Sequence, residues 1–202
     1  LSAEHVEQIA AAAAVLVVEQ GLEYGMAKRK AARDFGRRTE LPGNEQVEDA
    51  VREHLALFCA DTQPAELRAL REVALRWMQR LDAFRPHVGG AVWRGTATRH
   101  SAVHLDLYCD DPKEAEIAVI NLGVDYDSDS IEGRGGAEPL SVLTVGTHSA
   151  ALGALVTVHL TLHDRDAQRG ALRPDARGQS WRGSADALRR RMAEAEACAG
   201  RA

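Results

Sequence analysis

Histidine and aspartate alternate with apolar residues in Val103-His104-Leu105-Asp106-Leu107-Tyr108. A period of two marks a strand and puts His104 and Asp106 on one face of it. A later segment alternates in the same way. Val156, Val158, Leu160 and Leu162 share one side, and Thr157, His159, Thr161 and His163 share the other. If the two strands were neighbours, their imidazoles and carboxylate would meet in one cleft. His104, Asp106 and His159 would then be the candidate metal ligands, and Asp106 with His104 beside it the candidate catalytic pair. The same alternation also describes a half-covered sheet whose polar residues face water. Spacing alone leaves both readings open.

Upstream lies a stretch suited to phosphate. Arginine offers a planar fork of donors, and threonine and serine add hydroxyls. Gly90, Arg94, Thr96 and Ser101 form the candidate phosphate set, with Thr98 and Arg99 between them. The alternative is that these residues shape the turn between two strands.

The whole run from Gly89-Gly90-Ala91 through Arg94-Gly95-Thr96-Ala97-Thr98 to Ser101-Ala102-Val103-His104-Leu105-Asp106-Leu107 resembles the signature of the DNA polymerase β-like nucleotidyltransferases. That signature opens with Gly-Ser, passes through Arg-Gly-Thr-Ala-Thr and ends in Ser-Asp-hydrophobic-Asp-Leu. The resemblance implies a nucleoside triphosphate as ligand, with magnesium or manganese held by the two Asp residues and by a third carboxylate on a later strand. This chain departs from the signature where the metal would bind. Ala91 replaces the serine, and Ala102 and His104 replace the two Asp residues. Leu140-Ser141-Val142-Leu143, near the expected third position, carries no acid. Alanine cannot ligate, and imidazole suits magnesium poorly. The expectation is a nucleotidyltransferase-like protein that binds nucleotide or phosphate without the ordinary metal site, a pseudoenzyme. Asp106, two residues beyond His104 on the same strand face, is the carboxylate expected to serve a shifted site.

The elements that position these residues fall into two parts. Residues 1–85 read as helices. Ser2 to Gln20 is rich in Ala, Glu and Val and stops at Gly21; a basic helix runs from about Tyr24 to Phe35 and stops at Gly36. Asn44 is expected to cap a third helix with Val47, Val51, Leu55 and Phe58 on its apolar face. Thr62 is expected to cap a fourth, striped by Leu67, Leu70, Ala74, Trp77 and Leu81. From residue 86 to 202 strands take over. A helix capped by Asp111 follows the first of them, strands are expected near 125–131, 140–145 and 155–162, 165–183 reads as an irregular loop, and a helix closes the chain from Ser184. The fold class is α+β: an N-terminal helical segment, then a mixed β-sheet with flanking helices.

Composition narrows the function. A net charge of -5 argues against a general nucleic-acid coat. Local basic clusters remain, at Lys28-Arg29-Lys30 with Arg33, Arg37 and Arg38, and at Arg169, Arg173, Arg177 and Arg182. RNA is therefore a weaker partner expectation than nucleotide, since no aromatic residues interleave with these charges. Cys59, Cys109 and Cys198 form no CxxC pair, which points to a reducing, cytoplasmic setting. The apolar run Ile9 to Val18 is too short for a bilayer, and Glu4 and Glu7 precede it where a secretion signal carries positive charge. No Gly-Lys pair, HExxH helix or GxSxG elbow occurs. From another functional class comes the alternative of a non-catalytic protein- or RNA-interaction module that uses the helical segment, including as a homodimer.

Overall fold

A computed structural model describes residues 2–35, 39–132, 139–175 and 177–200. The expected stop at Gly36 and the basic residues Arg37 and Arg38 lie outside them. The chain divides into two compact units, residues 1–67 with 96–101, and residues 68–95 with 102–202. The expected boundary at residue 85 falls inside the second unit.

The first unit is built on α1 (Ser2–Gln20), α2 (Tyr24–Ala31) and α3 (Asn44–Phe58). Ile9, Ala13, Ala14 and Val17 of α1 pack with Ala27 of α2 and with Val47, Val51 and Leu55 of α3. Each buried Val or Leu contributes about 1.5–3 kcal/mol. Phe58, expected on the same stripe, is 73% exposed and leans its ring on His54 instead. The helix ends there, so its last residue no longer faces the core. The expected cap is displaced by one residue. Gly43 takes the N-cap position, and its N–H donates to Gln46 Oε1 at 2.7 Å. Asn44 is already helical and accepts from Lys28 Nζ at 2.8 Å.

Part of the signature belongs to this unit. Thr98 Oγ1 donates to the Val18 carbonyl at 3.1 Å, Gln63 Nε2 to the Ala97 carbonyl at 2.9 Å, and the Arg99 N–H to Glu66 Oε2 at 2.9 Å. Gly21 holds φ +66, and any side chain there would run into the His100 carbonyl. Residues 96–101 are thus pinned to the helices by backbone bonding and close approach.

The second unit is a six-stranded sheet with flanking helices. Its strands are β1 (His87–Gly89), β2 (Val103–Cys109), β3 (Tyr126–Ile131), β4 (Leu140–Ser149), β5 (Ala154–Asp164) and β6 (Arg182–Gly183). They run in the order β3-β4-β5-β2-β1-β6. The β2–β5 pair is parallel and the other pairs are antiparallel. The fourth helix, α4 (Gln63–Arg80), begins in the first unit and runs into the second. The others are α5 (Gly90–Arg94), α6 (Pro112–Asn121), α7 (Gln168–Ala171) and α8 (Ala185–Ala199). As expected, Asp111 caps α6, accepting from the Lys113 N–H at 2.9 Å.

One sheet face is core. Leu105 and Leu107 of β2, Leu143 and Val145 of β4, and Val158 and Leu160 of β5 are all buried. Ala115 and Val119 of α6 are buried too. The opposite face carries the polar residues of the same strands. At the outer edge, β3 exposes Asp127 and Asp129. The segment expected as an irregular loop is partly ordered, with a 3-10 turn over Arg165–Ala167, then α7 and β6.

Candidate functional site

The polar face of the sheet is assembled by register. His104 of β2 pairs with His159 of β5, Asp106 with Thr161, and Tyr108 with His163. On the other side of β2, Gly89 pairs with His104 and His87 with Asp106. Side chains that share a pleat position share a face. Residues far apart in sequence therefore become neighbours, and the two alternating segments are adjacent strands.

Asp106 is the centre of this face. Its Oδ1 lies 2.5 Å from His163 Nε2, and its Oδ2 lies 3.2 Å from Arg182 Nε. Arg182 also donates to the Tyr108 hydroxyl at 3.5 Å. The Tyr108 ring stacks on His163, with centroids 5.3 Å apart, and meets His87 edge-on at 5.4 Å. Burial pushes the Tyr108 phenol above its ordinary range, and the Asp106 charge adds to that shift, partly offset by Arg182. The phenol therefore stays protonated at neutral pH.

Beside this network, the His104 and His159 rings lie 5.0 Å apart. His159 Nδ1 is 2.9 Å from Thr144 Oγ1 of β4. Gly90 holds φ +61, a conformation open to glycine, and a methyl placed there would touch His104 Cδ2 at 3.4 Å. The glycine turn thus stands directly against the histidine that replaces a signature aspartate.

Arg94 has a different setting. It is buried, and its Nη1 lies 3.0 Å from Asp175 Oδ2. Its guanidinium sits over the Trp181 ring at 4.4 Å. Trp93, next to it, donates from Nε1 to the Ser180 carbonyl at 2.8 Å, and Arg191 covers its indole at 3.7 Å. Asp175 Oδ1 accepts from the N–H groups of Gln179 and Arg177, each at 2.9 Å. The Gln179 N–H, helped by those of Arg177 and Arg94, holds the Asp175 carboxyl below its usual range against the opposing effect of burial. This arrangement ties Asp175, Ser180 and Trp181 to α5.

The phosphate candidates are thus divided. Gly90 and Arg94 lie in the second unit, Thr96 and Ser101 in the first. Ser101 Oγ accepts from the Thr98 N–H at 3.0 Å, and Thr96 Oγ1 is buried without a hydrogen-bond partner. Sequence reasoning missed Tyr108, His87, Thr144 and Arg182 as members of the Asp106 face. Tyr108 was legible as the next same-face residue after Asp106. His87 was not, because a three-residue strand shows no period.

The residues do not fit magnesium. That ion takes oxygen ligands in near-octahedral geometry. Here the face supplies a single carboxylate, and both its oxygens are engaged. Among the described residues no three His, Cys, Asp or Glu side chains are grouped to hold a metal ion, and His104, Asp106 and His159 form no such group. The strand beside β2 is β5 rather than the Leu140–Leu143 segment, so the neighbouring position that could have carried a third acid is His159.

No family model matches the chain, and no curated protein does. Several solved structures do match. The Cid1 poly(U) polymerase with bound MgGTP is similar over 53% of this chain and 34% of that chain, at 15% identity and a TM-score of 0.35. A cytoplasmic RNA terminal U-transferase is similar over 59% and 39%, at 15% identity and a TM-score of 0.36. Cid1 in complex with the UTP analog UMPNPP is similar over 57% and 38%, at 14% identity and a TM-score of 0.34. The chain therefore spans less than two fifths of the length of these structures. No helix among the described residues is long and apolar enough to cross a membrane.

Proposed function

We propose that this chain is a nucleotidyltransferase-like protein that binds the phosphate groups of a nucleotide on the polar face of β1, β2 and β5, without metal-dependent nucleotidyl transfer. The observation that carries this reading is the Gly89–His104 register pairing. It sets the glycine turn against β2 as the sequence resemblance would have it, with the His104 imidazole against Gly90 and the already paired Asp106 carboxylate against Gly89. Arg182 and His163 pair with the one carboxylate, and His104 and His159 lie on the same sheet face. A donor-rich face of this kind favours an anion over a divalent cation.

Thermal unfolding against ATP, GTP, CTP and UTP tests the reading, each with magnesium, with manganese and with EDTA. A ligand that binds only the native state raises the melting temperature by mass action. The expected result is a shift with at least one nucleotide that persists in EDTA and disappears in His104→Ala/His159→Ala. A strict need for magnesium would overturn the metal-free part, and no shift at millimolar nucleotide would overturn the whole.

The alternative reading is a module that binds a protein or RNA partner through the helical unit. Leu57 and Phe58, exposed at the end of α3, favour it. Sedimentation equilibrium of the wild type and of Leu57→Ser/Phe58→Ser distinguishes a homodimer held by this surface from a monomer.

A further inference from the structure

We propose that Arg71 of α4 and Arg191 of α8 form an anion-binding pair at the C-terminal end of α5, suited to a phosphate group. Neither arginine belongs to β1, β2 or β5, so the site does not depend on the nucleotide reading.

Two consecutive main-chain carbonyls bring the guanidinium groups together. Arg71 Nε donates to the Val92 carbonyl at 3.2 Å, and Arg191 Nη1 donates to the Trp93 carbonyl at 2.7 Å. Arg191 is braced further by the Trp93 ring, which it covers at 3.7 Å. Two cations from different helices thus converge on one end of a five-residue helix. Arginine stays charged at every physiological pH, and like charges held close repel. A carbonyl carries only a fraction of a negative charge, so two carbonyls do not neutralise two guanidinium groups.

Arg71 is the more exceptional of the pair. It is only 7% exposed, yet among the described residues it makes one hydrogen bond, through Nε, and no ion pair. The acids nearest in sequence on these helices are taken, since Glu72 and Glu196 both pair with Arg68, at 3.2 and 3.0 Å. Burial draws the Arg71 guanidinium below its ordinary value, and the Arg191 charge pulls it the same way. Buried Arg94 provides the contrast, for it has Asp175. A buried charge without a counter-ion is costly, and a bound anion removes that cost.

The tip of the Arg71 fork is within reach of a ligand. Neither Nη1 nor Nη2 is a buried atom lacking a partner, so both keep contact with solvent. Gly95, at φ +85, helps to leave them uncovered: a Cβ there would sit 3.6 Å from Arg71 Nη2. Guanidinium forks match the oxygens of phosphate and carboxylate alike. Charge decides between the two. A phosphate monoester brings about -1.5 to -2 at neutral pH, close to what two arginines require, and a carboxylate brings half of that.

The test uses the intact protein labelled with ¹⁵N, titrated with inorganic phosphate and with methyl phosphate; sodium chloride at matched ionic strength and acetate serve as controls. Correlation spectra read the Nε–H signals of Arg71 and Arg191 and the amide of Gly95. The expected result is a saturable movement of all three with phosphate at millimolar concentration, and none with either control. Equal binding of methyl phosphate marks the end of a larger phosphomonoester as the source, and binding of inorganic phosphate alone marks the free ion. Arg71→Gln and Arg191→Gln should each weaken binding about tenfold or more. Arg71→Lys, which keeps the charge and loses the fork, should weaken it too and serves should Arg71→Gln fail to fold. His104→Ala/His159→Ala should bind phosphate here as the wild type does, which separates this site from the nucleotide reading. No saturable response to either phosphate would overturn the proposal. So would a response that Arg71→Gln and Arg71→Lys leave intact, or one that chloride reproduces, since that would show only screening of the two charges.

Discussion

His104 of β2 and His159 of β5 are register partners whose ring centroids lie 5.0 Å apart, with their planes inclined by 30°. Two imidazoles therefore occupy adjacent positions, and His104 stands where the sequence resemblance calls for a magnesium-binding carboxylate. Acids placed at both positions would join Asp106 in an oxygen-donor cluster. His104→Asp/His159→Asp should accordingly gain a magnesium-dependent rise in melting temperature that the wild type lacks, measured by calorimetry with and without the ion.

Asp106 is in contact with both His163 and Arg182. Asp106→Ala leaves the Arg182 charge without its counterion in a largely buried setting, and should cost about 3 kcal/mol in urea unfolding. Asp106→Asn keeps the shape and some of the hydrogen bonding, so its loss should be smaller. An unchanged midpoint in the alanine variant would show that the network contributes nothing to stability.

Asp175 sets a limb of the pH dependence. Its folded-state carboxyl sits below the unfolded value, so its contribution is present above the unfolded value of about 4 and is lost as pH falls through the folded value. Asp175→Asn should therefore be less stable than wild type at neutral pH, and the gap should narrow in acid. Unfolding midpoints measured across that range check the sign.

Gly183 leaves room for an indole. A methyl on it would run into the Trp93 ring, whose Nε1 and backbone carbonyl are themselves held by Ser180 and Arg191. Gly183→Ala should cost about 1–3 kcal/mol by overpacking. The expected readout is a lower unfolding midpoint with altered tryptophan emission.

The cysteines should react in a fixed order. Burial pushes the Cys109 thiol up, and the carboxylates of Glu114, Asp111, Asp164 and Asp110 push it further. Thiolates are the reactive species. Exposed Cys198 should be alkylated first, and Cys109 only on unfolding, as peptide mapping after timed iodoacetamide treatment would show.

What could be read in advance follows from physical period. The alternation in 103–108 and 155–162 gave both strands and the sidedness of His104, Asp106, His159 and His163. The helix after Asp111 was legible from its cap and proline. Strand partnership was not, because parallel pairing leaves no local trace; nothing near Asp106 announces Thr161 or His163. The strands β1 and β6 are too short to show a period, so His87 and Arg182 stayed outside the predicted site. The boundary between units was hidden for a related reason. Residues 96–101 join the helices through bonds that each use a main-chain group, and a main-chain group has no side-chain identity to read.

The parallel pairing of β2 with β5 also governs the order in which the chain can assemble. Antiparallel β4 and β5 meet across the short turn between Ser149 and Ala154, an inexpensive closure. Val103 must wait for Val158, and Asp106 waits for His163, 57 positions later. During synthesis β2 emerges with β1 already available, yet its other edge stays open until β5 has left the ribosome. Such non-local closure slows folding and leaves a hydrophobic edge open to wrong partners. The centre of the sheet is thus secured late, and the stretch from β2 to β5 is the interval in which a nascent chain most needs protection from its neighbours.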